Sequence, residues 1–592
     1  MLKRVQRHPL ILAYLAALIP ALLMAITQPV WSRVDEAQHA DFIIQLSHGV
    51  FPAADITVVD PETLGVMAST NVFRFDTPGA YPAPDLTDIG PPPAGMSVRA
   101  NAAWMSRHLW QLSFESAQTP GYYLAMVPVW WAADKLGGTL AAVYVMRIVN
   151  ALLIALLAPM AFIVATRLSP GRTEIAVLAA LFAALLPGLA LNGTRVSNDG
   201  LAAVLGGLTI VLAVRSVGQV WTWRRTVMVG LVLGAGFLVK LTLIGLLPAL
   251  ALAIMWPAHG SSWARRFVQA GTAAAVAVAC LLLWFIINTH VYGVYVPSAR
   301  TNRLSGMLPM PFQLAFVGFE LAFFVISYWS GEPLGELPMA APFVALSCLL
   351  SLIALAGLVK LLRPLALPAG PLVVAAAAVC GMAAASLLLP ATAGFEFAGP
   401  GRYVYTALPA GAALFGLGIY SALARGFARR TLSGLYAAAA IGIVVAAALW
   451  PAPDPVPGPG TPPSDATLID ATGSGGLQGV TITVDRIALD PARSATWFKV
   501  TITNSGPGEV EWSVTPISST GGGTAHGDYM HSTHMPGDVD AGHSATGWLL
   551  MQIDPAKVRS GGSVRLSFPD VALDGYAVVE DVVVDVKVAS AP

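Results

Sequence analysis

Apolar residues make up 56% of the 592-residue chain, and Asp, Glu, Lys and Arg together only 11%. A soluble domain carries roughly 25% charged residues, and soluble cores stop growing at about 250–300 residues; the composition therefore excludes an all-soluble protein and makes lipid the solvent for much of the chain. Thirty-three residues of each sign give zero net charge, which argues against a nucleic-acid partner.

A crossing helix needs about 20 apolar residues, because no backbone group can stay unpaired in hydrocarbon. The first such run is Pro9–Ile26, and Lys3, Arg4 and Arg7 before it place the N-terminus in the cytoplasm. It reads as a retained span, since no small-x-small cleavage site follows. Further spans are predicted near 141–166, 175–191, 201–217, 227–256, 268–287, 338–362, 371–390, 403–424 and 434–450. Basic clusters at Arg167/Arg172, Arg224/Arg225, Arg265/Arg266, Lys360/Arg363 and Arg425/Arg429/Arg430 fall in alternate loops. That alternation holds if 227–256 is two short helices hinged near Lys240, giving about eleven crossings with the C-terminus outside. Residues 119–137 and 312–327 are apolar enough to touch lipid, but counting either as a span breaks the parity; both are placed as helices at the outer leaflet. Cys280, Cys348 and Cys380 all lie in apolar runs and read as small buried hydrophobes.

Residues 1–450 thus form a transmembrane domain with a large first outer loop at 28–118. A Pro/Gly linker at 451–465 follows, semi-rigid and extended. From 466 to 592 the texture becomes period-two, as in VTITVDRIAL, TWFKVTITN and YAVVEDVVVDVKV, bounded by Gly, Asn, Asp and Pro. Several short strands at this spacing predict an extracytoplasmic β-sandwich-like domain. His526, His531, His534 and His543, interleaved with Asp528, Asp538 and Asp540, are weak metal candidates; the plainer reading is a solvated loop, because the spacing matches no zinc signature.

The stretch richest in chemistry is Trp31-Ser-Arg-Val-Asp-Glu-Ala-Gln-His-Ala-Asp, directly after the first span. On a helix Asp35 and His39 share a face, with Glu36 beside them. Charge so close to hydrocarbon is costly, so the group reads either as a polar helix cap or as a general base at a lipid-accessible pocket. The first loop ends in Glu115-Ser-Ala-Gln-Thr-Pro-Gly-Tyr-Tyr, where Tyr122 and Tyr123 suit an interface. Arg147-Ile-Val-Asn and Arg195-Val-Ser-Asn-Asp follow, the latter putting Asp199 in an outer loop. Lys240, Arg300, Arg303 and Arg402 are outer-side cations, and Arg402 lies in Gly-Arg-Tyr beside Tyr403. Cations there run against the positive-inside bias, and an anionic phosphate headgroup would account for them.

At these residues the chain resembles the GT-C superfamily of membrane glycosyltransferases, whose members include protein O-mannosyltransferases and the aminoarabinose transferase acting on lipid A. The resemblance covers roughly residues 1–450. It is carried by Asp35-Glu36 after the first span, Thr119-Pro-Gly-Tyr-Tyr, and Arg147 following it; Asp35-Glu36-x-x-His39 and Gly401-Arg402-Tyr403 are most similar to a bacterial branch of the superfamily. Gly121 stands where the family often has a second proline. The resemblance implies a GT-C-like bundle and transfer of a sugar from a polyprenyl-phosphate donor to an envelope glycan, lipid or protein. In it Asp35 would be the base, helped or positioned by Glu36 and His39. Arg402 or Arg300/Arg303, with Lys240, would face the donor phosphate, and Tyr122, Tyr123, Arg147, Asp199 and Tyr403 would line the substrate pocket. A divalent metal is left open. The implied location is a bacterial cytoplasmic membrane. A lipid or solute transporter and a non-catalytic envelope assembly protein are the alternatives, the first disfavoured because the spans are almost bare of charge apart from Lys240.

Overall fold

The computed structural model describes residues 8–28, 30–31, 35–53, 57–70, 113–293, 314–331, 340–362, 369–393, 401–423 and 426–449 of the helical part; in the C-terminal part it describes 460–491, 495–512, 517–520, 523–528, 535, 538–551, 553–561, 563–573 and 577–589. Arg300, Arg303, His531 and His534 lie outside the described residues. The chain divides into two units, a helical one within 1–452 and one containing the C-terminal strands.

The helical unit opens with α1 (Pro9–Thr27), α2 (Glu36–Ser47) and α3 (Pro61–Thr70). Next is α4 (Gly121–Ile154), broken at Gly138, where φ is 74° and ψ 179°. The predicted 119–137 helix is the part before that break. After it come α5 (Leu157–Leu168), α6 (Thr173–Ala184), α7 (Pro187–Asn192), α8 (Asp199–Ser216) and α9 (Trp223–Val239). Helix α9 stops at Lys240, whose backbone is extended; a 3-10 turn over Leu241–Leu246 then leads into α10 (Leu247–Met255). The hinge expected near Lys240 is therefore a true helix break. The remaining helices are α11 (Trp263–Ala279), α12 (Leu282–Tyr292), α13 (Leu314–Trp329), α14 (Ala340–Leu362), α15 (Ala369–Ala393), α16 (Leu408–Ala422) and α17 (Gly426–Leu449), with a 3-10 turn over Gly401–Ala407 preceding α16.

Seven of these helical segments are long and apolar enough to cross a membrane, eight with the bent pair Trp263–Ala279 and Leu282–Val291 taken as one. The other three predicted crossings fall on shorter helices: α6, α9, and the Leu241–Met255 segment. Inside the bundle, small side chains allow close helix approach: Ala158, Ala161 and Ala165 of α5, Ala176, Ala179 and Ala183 of α6, and Ala410 and Ala413 of α16 are all buried. Outward, Ile19, Phe267, Leu283, Ile286, Leu352 and Leu355 are exposed. A soluble protein would not present so many large apolar side chains, whereas lipid solvates them at no cost. This is a multi-pass membrane protein.

The C-terminal unit is all antiparallel: β1 (Thr467–Leu477), β2 (Val480–Asp490), β3 (Ala495–Asn504), β4 (Val510–Glu511), β5 (Ile517–Thr520), β6 (Gly523–Asp528), β7 (Asp538–Val539), β8 (Ser544–Met551), β9 (Ser563–Leu573) and β10 (Val578–Val588), with a short helix, α18 (Pro555–Gly561), before β9. The order is β10-β1-β2-β3-β8-β6-β5-β9-β4-β7, and β10 also pairs β9. Two sheets are thus joined at both edges by pairings only two residues long, Ala471 with Val588 and Thr472 with Lys587 on one side, Gly527 with Met551 and Asp528 with Leu550 on the other. The expected sandwich closes into a flattened barrel, which leaves fewer open strand edges. Alternate residues such as Ile482, Val484, Phe498, Val500, Ile502, Leu566, Phe568 and Val584 fill its core, as the period-two pattern requires.

Candidate functional site

The site lies within the helical unit and is assembled from six stretches: α2, the turn at Phe114–Ala117, the start of α4, the start of α8, and the two helix breaks at Lys240 and Gly401–Ala407. Two glycines permit the close approaches. A Cβ on Gly121 would lie 2.6 Å from the carbonyl oxygen of Leu238, and one on Gly401 would lie 2.0 Å from that of Phe324. Gly401 also donates its backbone N–H to Ser327 Oγ at 2.7 Å. Gly121, in the place of a proline, therefore starts α4 cleanly and lets its first turn press against the end of α9.

Glu36 and Arg147 form the most deeply buried element. Arg147 donates from Nε to Glu36 Oε1 at 2.8 Å and from Nη2 to Oε2 at 2.5 Å, and its Nη1 donates to the Gln28 carbonyl at 2.8 Å. Glu36 Oε1 also accepts the Val196 N–H at 2.9 Å. This bidentate pair, with Glu36 at 0% and Arg147 at 1% exposure, ties α2, α4, the end of α1 and the approach to α8 together. A charge as deep as Arg147, expected in the substrate pocket, needs a partner, and Glu36 is one. Nearby, Asn150 Nδ2 donates to the Tyr122 hydroxyl at 3.0 Å and to the Arg195 carbonyl at 2.5 Å. Tyr122 is thereby held as a wall of the same junction.

Asp35 precedes α2 rather than sharing its face. Its φ of 48° and ψ of 8° are left-handed, a conformation Asp tolerates better than most residues, and its carbonyl accepts the His39 N–H at 2.9 Å. The Asp35 side chain does not cap the helix; it is half-buried beside the first-loop carboxyl of Glu115. His39 Nδ1 lies 2.8 Å from the Tyr123 hydroxyl and 3.4 Å from Glu115 Oε2, and its ring stacks on Tyr123 at 5.8 Å. Burial keeps His39 neutral, lowering its pKa to about 3. Burial, and then the nearby charge of Asp35, raises Glu115 to about 8, so its carboxyl is largely protonated at neutral pH. Asp41 accepts the Asp60 N–H at 2.8 Å, and burial raises its pKa to about 6.

The third group is cationic. Asp199 sits between Lys240 and Arg402, hydrogen-bonded to Lys240 Nζ and with Oδ2 3.1 Å from Arg402 Nε. Lys240 also donates to Asn198 Oδ1 at 3.3 Å and lies 3.9 Å from the centre of the Tyr403 ring. Lys240 and Arg402 are therefore not the isolated cations that the sequence suggested; Asp199 joins them because buried like charges need a counter-ion. Asp199 is thus a carboxylate shared between two cations. The three lie close enough to the carboxyl–imidazole group that Asp199, Lys240 and Arg402 all act electrostatically on both His39 and Glu115.

Of the sequence-derived candidates, Asp35, Glu36, His39, Tyr122, Tyr123, Arg147, Asp199, Lys240, Arg402 and Tyr403 come together here. Glu115 and Asn150 were not singled out, although Glu115 stands four residues before Thr119-Pro-Gly-Tyr-Tyr. His543 is exposed in the C-terminal unit, with Nδ1 3.2 Å from the Ala541 carbonyl, and the side chain of His526 lies outside the described residues. Among the described residues, the His/carboxylate group with metal-like spacing is His48, Asp60 and Glu62, at the surface of the first loop. There both ring nitrogens face carboxylates, Nδ1 at 3.0 Å from Asp60 and Nε2 at 3.6 Å from Glu62.

Fold and site together define a polytopic membrane protein with a buried, charge-dense centre built where helices break. Its order of features is an acidic pair after the first apolar helix, a long loop, then cations at later breaks. No family model matches the chain, and no curated protein matches it. Among solved structures it is similar to the archaeal oligosaccharyltransferase AglB from Archaeoglobus fulgidus in complex with an inhibitory peptide and a dolichol-phosphate, with a TM-score of 0.40 and 13% identity over 75% of this chain and 56% of that one. The apo form of the Archaeoglobus fulgidus oligosaccharyltransferase gives 0.39 and 14% over 74% and 55%; the form tethered to an acceptor peptide gives 0.37 and 13% over 75% and 55%. The chain spans just over half the length of these proteins.

Proposed function

We propose that the protein is a membrane glycosyltransferase that moves a sugar from a polyprenyl-phosphate donor to a hydroxyl on an acceptor outside the cytoplasm of a bacterial cell. The observation that supports it most is the juxtaposition of a half-buried carboxylate, Asp35, with two cations, Lys240 and Arg402, gathered on Asp199. Glycosyl transfer from a lipid phosphate needs both functions in one enclosure. Asp35 removes the acceptor hydroxyl proton as the oxygen bonds to the anomeric carbon on the face opposite the phosphate. The bond from that carbon to the phosphate oxygen breaks, and its electron pair stays on the phosphate. Lys240 and Arg402 then stabilise charge that grows in the transition state, which speeds the reaction rather than merely tightening binding. Arg300 and Arg303 remain proposed partners of the donor phosphate. Neutral His39 orients the base side of the pocket, while Glu36 and Arg147 fix the backbone on which Asp35 stands.

Asp35→Asn tests the reading, because it keeps the shape and removes the base. With a polyprenyl-phosphate sugar as donor, transfer should fall roughly 10²–10⁴-fold at unchanged thermal stability. Activity at the parent level would refute the assignment.

A further inference from the structure

None of the steps above uses His48, Asp60 or Glu62. His48 ends α2, Asp60 precedes α3 and Glu62 lies in its first turn. One potential ligand atom from each lies within 4.8 Å of the other two. The carboxylates are aimed rather than loose. Asp60 Oδ1 accepts the Glu62 N–H at 2.9 Å, and the Asp60 N–H is itself held by the buried Asp41 at 2.8 Å. Glu62 Oε1 accepts from the hydroxyl of Thr139, next to the Gly138 break of α4. Each carboxylate therefore has one oxygen tied to a protein donor and turns the other, Asp60 Oδ2 or Glu62 Oε2, toward the same imidazole. Outer donors that orient inner ligand atoms are what a metal centre takes from its surroundings.

We propose that His48, Asp60 and Glu62 bind a divalent ion of the zinc class, through one ring nitrogen and the two converging oxygens, with water completing the shell. A neutral imidazole has one lone pair to give. The His48 side chain is 46% exposed, so its ring is free to turn that nitrogen to a point between the carboxylates. Metal–ligand bonds of about 2.0–2.2 Å place tetrahedral ligand atoms about 3.4 Å apart. The three atoms, within 4.8 Å at present, close to that spacing by side-chain rotation alone. A mixed imidazole–carboxylate set suits zinc, whereas Ca²⁺ and Mg²⁺ favour oxygen throughout. Bound there, the ion ties the end of α2 and the start of α3 to the break in α4. Since α2 carries Glu36 and His39 and α4 carries Tyr122 and Tyr123, it braces two elements of the site from outside. Such binding is independent of sugar transfer.

The test titrates Zn²⁺ into the full-length protein in lipid nanodiscs after chelator treatment, against a competing zinc indicator, with Tm read in parallel. The parent should take up zinc and gain Tm, because an ion that binds only the folded state stabilises it. His48→Gln, Asp60→Asn and Glu62→Gln should each abolish that gain. Asn at position 60 keeps a helix cap, and Tm in chelator reports whether each variant is folded. Thr139→Val, which frees Glu62 without removing a ligand, should weaken zinc binding about 10–100-fold, and it keeps the test open if a ligand variant does not fold. A parent that takes up no zinc overturns the proposal. So does uptake that survives all three ligand substitutions, which would belong to other histidines, or a Tm gain as large with Ca²⁺ or Mg²⁺, which would leave the imidazole no part in binding.

Discussion

Two ion clusters lie within one site and are built to opposite rules. Glu36 and Arg147 are matched charge for charge, bidentate, and each is further engaged by a backbone group. Asp199 is shared between two cations, Lys240 and Arg402, which sit at breaks where two helices begin or end. A saturated buried pair has nothing left to offer a ligand and is expected to hold structure. Two cations on a shared carboxylate are held together at some electrostatic cost, and an anion relieves it. The contrast separates scaffold from chemistry more clearly than burial does, since both clusters are buried.

The largest effect should come from breaking the balanced pair. Glu36→Ala or Arg147→Ala strands a buried charge and should lower stability by about 3–5 kcal/mol, seen as a fall in Tm of the purified protein. The double variant should lose much less than the sum of the two, because no charge is then left unpaired. Equal and additive losses would remove the distinction drawn here.

Next in size is the shared-carboxylate cluster. Asp199→Asn leaves Lys240 and Arg402 without their shared carboxylate, so the variant should be less stable than the parent. Added inorganic phosphate should raise its Tm more than the parent's at matched ionic strength, because an anion that binds only the folded state stabilises it by mass action. No differential response would argue that the cations are not an anion site.

A smaller effect is expected from pH. Burial holds the Glu115 carboxyl up at about 8, against 4.5 for an ordinary glutamate. Between those values the folded state binds more protons than the unfolded one, so stability falls as pH rises through the window. His39, lowered from 6.5 to about 3, acts in the opposite direction between those two values. Above 6.5 only the Glu115 effect of these two remains, so Tm should decline from there toward pH 8, and Glu115→Gln should flatten that decline. The smallest effect belongs to the C-terminal unit. Arg565 and Asp585 pair at 2.8 Å, but each side chain is about 60% exposed. Replacing either should leave Tm unchanged within error, since solvent-exposed pairs add little.

Much of the architecture could be read from residue patterns. The apolar runs mark the helices, the basic clusters led to the hinge at Lys240, and alternation after residue 466 marks the strands. Asp35, His39, Lys240 and Arg402 stood out because charge beside hydrocarbon demands a reason. What the pattern could not convey was pairing. Arg147 and Glu36 are 111 residues apart, and Lys240 lies 41 residues from Asp199; local periodicity carries no information about which helix ends meet. For the same reason Lys240 and Arg402 looked like isolated cations and Arg147 like a ligand-facing one. Glu115 was missed because a lone Glu in a loop is ordinarily solvated, and only the packed turn reveals its burial against His39. The closed barrel was hidden in turn, because the two-residue pairings that seal its edges leave no trace in alternation.

The central claim is that the shared-carboxylate cluster receives a lipid phosphate. Native mass spectrometry of the protein released from its membrane tests it most directly, comparing the parent with Lys240→Gln and Arg402→Gln. The parent should retain a polyprenyl-phosphate-class lipid, and each variant should lose most of that bound species while Arg565→Gln keeps it. A parent that carries no such lipid, or cluster variants that hold it as firmly as the parent, would contradict the account.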